Sequence, residues 1–254
     1  MDGTVYEEDR VFDGTFELLG RIKQNGGHYA FITNNSSMSV RDYMKKVSRL
    51  GIPADEGDFF TAAQAAAEEL KNHYRGAKVY CQGTKSLVEE LRNSGIDVTE
   101  NAEPADVVLV GYDTELTMEK IRRTCELLST GDPVYLATNP DLACPVSFGF
   151  LPDCGAICEM IRHATGKTPR FIGKPDPCMV NVLMKKHGCS ESDTVVVGDR
   201  LYTDIAAGLN AHTAAVCVLT GEATADEITN GDIKPTYTFD GVKEIADILG
   251  GHLL

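Results

Sequence analysis

Apolar and polar positions along the chain change period many times, and each change marks an element. Helical spacing over residues 12–25 stops at Gly26-Gly27, after which HYAFIT reads as a short buried strand opening into the polar NNSS. Ser39 and Asp42 form a capping box for a helix running to Leu50, and Gly51 with Pro53 ends it. An alanine-rich helix, TAAQAAAEELKNHY, ends before Gly76. The apolar runs AKVYC, VVLVG and PVYLAT then read as strands, with helical stretches at 84–93 and 117–129 between them. Beyond a helix near 155–164, RFIG is a strand leading into KPDP, a helix covers 177–187, and DTVVVGDR holds the most apolar strand. TAAVCVL and TYTFD add late strands, and a last helix covers 242–249. Strands alternating with helices imply an α/β fold with a doubly wound, parallel sheet.

Composition narrows the class. A length of 254 residues with 43% hydrophobic content suits a packed globular core of one large or two modest domains. No internal repeat or low-complexity linker separates domains, so a second domain would be an insertion with short crossings. The net charge of −14 repels polyanions and argues against a nucleic-acid groove or an anionic membrane. Residues 1–10 carry four acids, unlike a signal peptide, and no stretch has the length of a membrane span, so the chain reads as cytoplasmic. The eight cysteines are scattered with no C-x-x-C pair. Cys154, Cys158 and His163 come nearest to a metal cluster, but the i, i+4 spacing beside Ile157 and Ile161 is that of a packed helix face.

Four places join a strand end to chemistry-bearing residues: Asp2-Gly3-Thr4, Thr33-Asn34-Asn35-Ser36, Lys174-Pro175, and Gly198-Asp199 with Asp204 following. In a doubly wound sheet the strand C-termini line one crevice, so all four are expected to serve one ligand. Hydroxyl, amide and backbone N–H groups suit phosphate oxygens, Lys174 supplies a point charge, and Asp199 with Asp204 offers hard oxygens for Mg²⁺. Each feature alone also has a plain structural reading as a turn, a cap or a solvated loop. Their order and their placement at strand ends favour a phosphoryl-transfer site.

The segments DGTVY, FITNNSS, GKPDP and VVVGDRLYTDI resemble the four ordered motifs of the haloacid dehalogenase superfamily of Mg²⁺-dependent phosphatases. GYDTELTMEKI, ATNPDLACP and LPDCGAICEMI resemble its p-nitrophenylphosphatase and sugar-phosphatase branch, and the likeness covers essentially the whole chain. The resemblance implies a Rossmann-like core at 1–77 and 172–254 with an inserted α/β cap at 78–171. It implies that Asp2 is the general acid/base and offers its backbone carbonyl to Mg²⁺. It further implies that Thr33, Asn34 and Asn35 bind phosphate, that Lys174 offsets charge, and that Asp199 ligates the metal while Asp204 holds its waters or orients neighbouring groups. In the cap, Asn139, Asp141 and Cys144 become candidates for reading the leaving group, against the simpler reading of Asn-Pro-Asp as a turn. The implied substrate is a small phosphate monoester of the sugar phosphate, glycerol phosphate or nucleotide type.

Two departures qualify the match. The family's nucleophilic carboxylate belongs two positions before Asp2, ahead of Met1, and the apolar strand that would carry it is expected to be the middle of the sheet. The chain is therefore expected to begin at an internal Met and to be inactive as it stands; a catalytically dead phosphate- and metal-binding protein is the alternative. His212 stands where the family often has Gly, and it is read as a surface turn without a role. The expected partner is a small phosphorylated metabolite, with no nucleic acid or membrane, and a homodimer is compatible with the sequence.

Overall fold

A computed structural model describes residues 1–99, 104–146 and 148–251. The short strands β1 (Tyr6–Glu7) and β2 (Arg10–Val11) form a hairpin before helix α1 (Thr15–Gln24). Strand β3 (Phe31–Thr33), helix α2 (Val40–Arg49), strand β4 (Phe59–Thr61) and helix α3 (Ala62–His73) follow. Next come β5 (Lys78–Gln82), α4 (Lys85–Asn93), β6 (Asp97–Thr99), β7 (Val107–Val110), α5 (Met118–Thr130) and β8 (Val134–Ala137). The hairpin β9 (Ala143–Val146) and β10 (Gly149–Pro152) precedes α6 (Cys154–Thr165), β11 (Arg170–Phe171) and α7 (Cys178–His187). The chain finishes with β12 (Val195–Gly198), α8 (Ala206–Asn210), β13 (Ala214–Val218), α9 (Ala225–Asn230), β14 (Tyr237–Phe239) and α10 (Val242–Leu249).

Two compact units divide these elements. The first contains Met1–Ile32, Met44–Phe60 and Lys174–Leu254; the second contains Thr33–Tyr43 and Thr61–Gly173. The second unit is built on a five-stranded, wholly parallel sheet in the order β11-β8-β7-β5-β6. All four residues of β7 are buried, as a strand covered on both faces requires. The chain leaves β5 toward β6 and then returns to its other side as β7, so the C-terminal ends of β5 and β7 flank a topological switch point. One side of this sheet packs Val108, Val110, Tyr135, Ile157 and Ile161 into a continuous core. Cys154 and Cys158 lie in that core, so their i, i+4 spacing is indeed packing.

In the first unit β12, β13 and β14 form a parallel sheet. β3 pairs with β4, and among the described residues neither β3 nor β12 pairs on its other edge. Ile32 nevertheless packs against the Val180, Val196, Ala207 and Ala211 cluster, and Phe31 meets the Phe59 ring at 5.4 Å. Ser39 and Asp42 bond reciprocally as expected, and the structure adds a Thr61–Gln64 box and caps from Thr84 and Thr117.

Three stretches differ from the sequence expectation. The first helix begins at Thr15 rather than near 12, because Gly14 adopts φ 79 and turns the chain. Leu201–Ile205 forms a single π-helical turn before α8, where widening of the turn carries Asp204. The β9–β10 hairpin escaped the strand pattern because all four β10 residues are exposed and show no period-two alternation. No helix among the described residues is long and apolar enough to cross a membrane.

Candidate active site

In the first unit Asp199 leaves the apolar strand β12 and is 95% buried, with a relative exposure of 5%. The Thr4 hydroxyl donates to its Oδ1 at 2.8 Å and the Glu222 backbone N–H to its Oδ2 at 3.2 Å. Thr220 anchors the facing loop by donating its hydroxyl to the Gly3 carbonyl at 2.6 Å. Gly3, at φ 75, and Gly221 both approach so closely that a Cβ on either would overlap the Asp199 carboxylate. Thus the Asp-Gly-Thr corner and the Thr-Gly corner after β13 enclose one carboxylate, and the glycines are required by space.

Beside it, Lys174 Nζ donates to Asp204 Oδ1 at 2.5 Å, and both residues are buried. The Arg200 backbone N–H reaches Asp204 Oδ2 at 3.3 Å. Burial alone would raise the Asp204 pKa, but the Lys174 ammonium, through its charge and its hydrogen bond, offsets it and the carboxyl is held below its usual value. The same negative surroundings, after burial, push the Cys217 thiol up to about 11. Asp2 is different: its side chain is 53% exposed and meets Lys46 Nζ at 3.4 Å, while that ammonium also lies 4.4 Å from the Tyr6 ring centroid.

These oxygens suit a hard divalent cation. Each Asp199 oxygen carries two lone-pair directions, and the two hydrogen bonds above use one on each. Among the described residues no three His, Cys, Asp or Glu side chains converge as a metal cluster. With a lone-pair direction left on each oxygen, the Asp199 carboxylate has the hard-oxygen chemistry that suits Mg²⁺, which takes few protein ligands and keeps several waters.

The second unit holds the other expected residues. The Asn35 N–H donates to Thr33 Oγ1 at 3.2 Å, and Asn35 Oδ1 in turn accepts the Ser37 N–H at 2.8 Å and its hydroxyl at 2.7 Å. Two successive side-chain turns therefore shape the loop after β3. Asn34 Nδ2 donates to Asp141 Oδ2 at 2.7 Å, and Asn139 Nδ2 donates to the same oxygen at 2.9 Å and to Asp153 Oδ1 at 3.0 Å. Asn139 is fully buried and Asp141 is 3% exposed, whereas Cys144 is half-buried. Ser36, the last of the polar residues expected after β3, joins this arrangement, and so do Thr138 and Asp153, which the sequence did not single out. Their signals were weak but present: a hydroxyl beside each amide pair, and an Asp directly before an apolar helix, where it caps the Cys154 N–H at 2.5 Å.

Comparison with known proteins agrees with these motifs. A family model described as haloacid dehalogenase-like hydrolase matches residues 1–97, and a HAD-hydrolase-like model matches 171–245. The chain is 34% identical to an acid sugar phosphatase of Staphylococcus saprophyticus over 96% of its own length and 94% of the relative's. It is 33% identical to the 5'-nucleotidase YutF of Bacillus subtilis, over 96% and 94% of the two chains. The crystal structure of a 4-nitrophenylphosphatase from Thermotoga maritima superposes with a TM-score of 0.92 at 34% identity, covering 97% of this chain and 94% of that one. A glycerol phosphate phosphatase from Mycobacterium tuberculosis, solved in complex with magnesium, superposes with a TM-score of 0.91 at 27% identity, covering 98% and 76%. The strand-end Asp, Thr, Lys and Asp are thus set in an α/β scaffold shared along almost the whole length of these enzymes, and the chain belongs to the haloacid dehalogenase-like hydrolases, in their NagD and p-nitrophenylphosphatase branch.

Proposed function

We propose that this scaffold serves Mg²⁺-dependent hydrolysis of small phosphate monoesters. The observation that carries the reading is the buried Lys174–Asp204 pair set with the enclosed Asp199 at the C-terminal end of β12. Burying three charges in an apolar surround is unfavourable unless a ligand or partner charge uses them. Asp199 and the Asp2 carbonyl would hold the metal, with Asp204 on its waters; when bound, Mg²⁺ offsets phosphoryl charge that the acidic protein otherwise repels. Lys174 adds a fixed positive charge for the same purpose. Thr33, Asn34 and Asn35 supply hydroxyl and amide donors for phosphate oxygens. Asp2, with its half-exposed carboxylate, gives a proton to the leaving oxygen and later takes one from water. Residues 78–171 supply the cap, where the loop that carries Cys144 meets the leaving group, while the buried Asn139 and Asp141 hold that loop in place. The relatives act, by their names, on sugar phosphates, nucleotides, glycerol phosphate and 4-nitrophenyl phosphate, and we extend that range to this chain.

An aspartyl-phosphate route needs a carboxylate two positions before Asp2, and residues 1–254 hold none there. The test compares residues 1–254 with a version preceded by an apolar strand ending in Asp. The version carrying that carboxylate should hydrolyse 4-nitrophenyl, sugar, glycerol and nucleoside phosphates, and chelation of Mg²⁺ should abolish the hydrolysis. Robust hydrolysis by residues 1–254 would require another nucleophile.

A further inference from the structure

The loop after β3 is not merely near the end of β8; the two are joined by an ordered run of hydrogen bonds within the second unit. The Tyr112 N–H donates to Ser36 Oγ at 3.0 Å, and Ser36 Oγ lies 3.0 Å from Thr138 Oγ1. Thr138 Oγ1 lies 2.8 Å from Asn139 Oδ1 as its donor. Each hydroxyl has one proton. The Thr138 proton goes to Asn139, so the Ser36 proton goes to Thr138, and the direction of the run follows. Asn139 Oδ1 is thereby the acceptor, which turns its Nδ2 toward Asp141 and Asp153. Asp141 Oδ2 then receives a second amide, from Asn34.

Packing closes the arrangement. Ser36, Thr138 and Asn139 are fully buried. The Gly155 N–H holds the Asp141 carbonyl at 2.8 Å, and a Cβ on Gly155 would overlap the Pro140 carbonyl. A Cβ on Gly173 would overlap both the Thr138 carbonyl and Asn34 Oδ1, so the Asn34 amide is confined on its oxygen side too. The run fills the ends of β7 and β8 next to the switch point, where an open α/β sheet ordinarily receives a ligand. Here a segment of the chain itself, residues 33–37, occupies that position.

We infer that Asp141, Asn139, Thr138 and Ser36 are positioning residues for the phosphate-binding loop: they act through the Asn34 amide, and so tie that loop's geometry to the cap loop that carries Cys144. This rests on the phosphate-binding reading of Thr33, Asn34 and Asn35 above. It deepens that reading by separating residues that touch the ligand from buried residues that aim them. Because Asp141 accepts both amides on one oxygen, what it supplies is an acceptor in place, not a charge. An Asn with its carbonyl oxygen in that position accepts the same two bonds, whereas Leu accepts none.

The experiment uses residues 1–254 with inorganic phosphate as the probe, in the presence of Mg²⁺, together with the side-chain amide signals of Asn34 in ¹⁵N NMR without phosphate. Asp141→Leu should move the Asn34 amide signals and speed their hydrogen exchange at least tenfold, and should weaken phosphate binding up to about tenfold, as expected for losing one hydrogen bond. Asp141→Asn should restore both. Thr138→Val should give a smaller loss that Thr138→Ser recovers, which covers the case in which the Asp141 variant fails to fold. Unchanged Asn34 signals or unchanged phosphate affinity in Asp141→Leu would overturn the inference, as would failure of Asn to rescue. If wild-type residues 1–254 bind no phosphate while the Asn34 signals respond as stated, the phosphate-binding reading is what fails, and the positioning role falls with it.

Discussion

The two clusters solve the burial of polar groups in opposite ways. In the first unit Lys174, Asp204 and Asp199 keep formal charges buried and satisfy them with one ion pair and a few donors. In the second, Ser36, Thr138, Asn139 and Asn34 are neutral, and the oxygens of Asp141 and Asp153 accept amide donors along a directed run. A charged cluster stores interaction that an incoming phosphoryl group and cation can use, at the risk of instability when one member is lost. A hydrogen-bonded run holds geometry instead, and its loss is graded. The difference matches the division of labour proposed above between charge compensation and aiming.

Removing one side of the charged pair should break this comparison most sharply. Lys174→Met leaves Asp204 buried and unpaired and should destabilise by about 3–5 kcal/mol, read from chemical denaturation. Adding Asp204→Leu to that variant should recover most of the loss; if it does not, the pair is not the origin. In the version preceded by the apolar strand and Asp, Asp199→Ala should abolish Mg²⁺-dependent turnover, and normal activity would remove Asp199 from the site.

Thr138→Val should cost less, about 1–3 kcal/mol, because it strands one buried donor and one acceptor rather than a charge. A loss as large as that of Lys174→Met would mean that the two clusters do not differ in kind.

Acid sharpens the contrast. The folded Asp204 pKa lies below its ordinary 3.8, so its contribution to stability is fully present above that value and is lost as pH falls through the lower folded one. Lys174→Met removes the main cause of that depression, so acid unfolding should begin at higher pH in the variant, whereas Thr138→Val should leave the acid midpoint's shape unchanged. Parallel acid titrations followed by circular dichroism decide this.

The smallest effect belongs to a position outside both clusters. His212 is exposed with φ 59, a conformation that favours Gly, so His212→Gly should raise stability by about 1 kcal/mol with no change in phosphate binding. A loss of stability there would point to an interaction of the His212 ring.

What could be read from the chain alone was what neighbours in sequence decide. Ser39 with Asp42, and the alternation of apolar runs with amphipathic stretches, act between near neighbours in sequence, and they placed the helices and the parallel strands. Lys174, Asp199 and Asp204 stood out because a charged residue closing an apolar strand is locally conspicuous. Partners were another matter. Thr4 meets Asp199 across 195 positions, Asn34 meets Asp141 across 107, and Ser36 meets Thr138 across 102. No local propensity selects such pairs; they follow from the order in which strands join a sheet, β11-β8-β7-β5-β6 in one unit and β12-β13-β14 in the other. Asn139 shows the limit clearly. The sequence marks it as a polar residue after a strand, equally suited to a turn or a ligand, and only the tertiary packing buries it completely and turns its amide onto Asp141 and Asp153. The physical reason is that burial converts each unsatisfied polar group into a penalty of about 1–3 kcal/mol, so the fold, not the residue, chooses the partner.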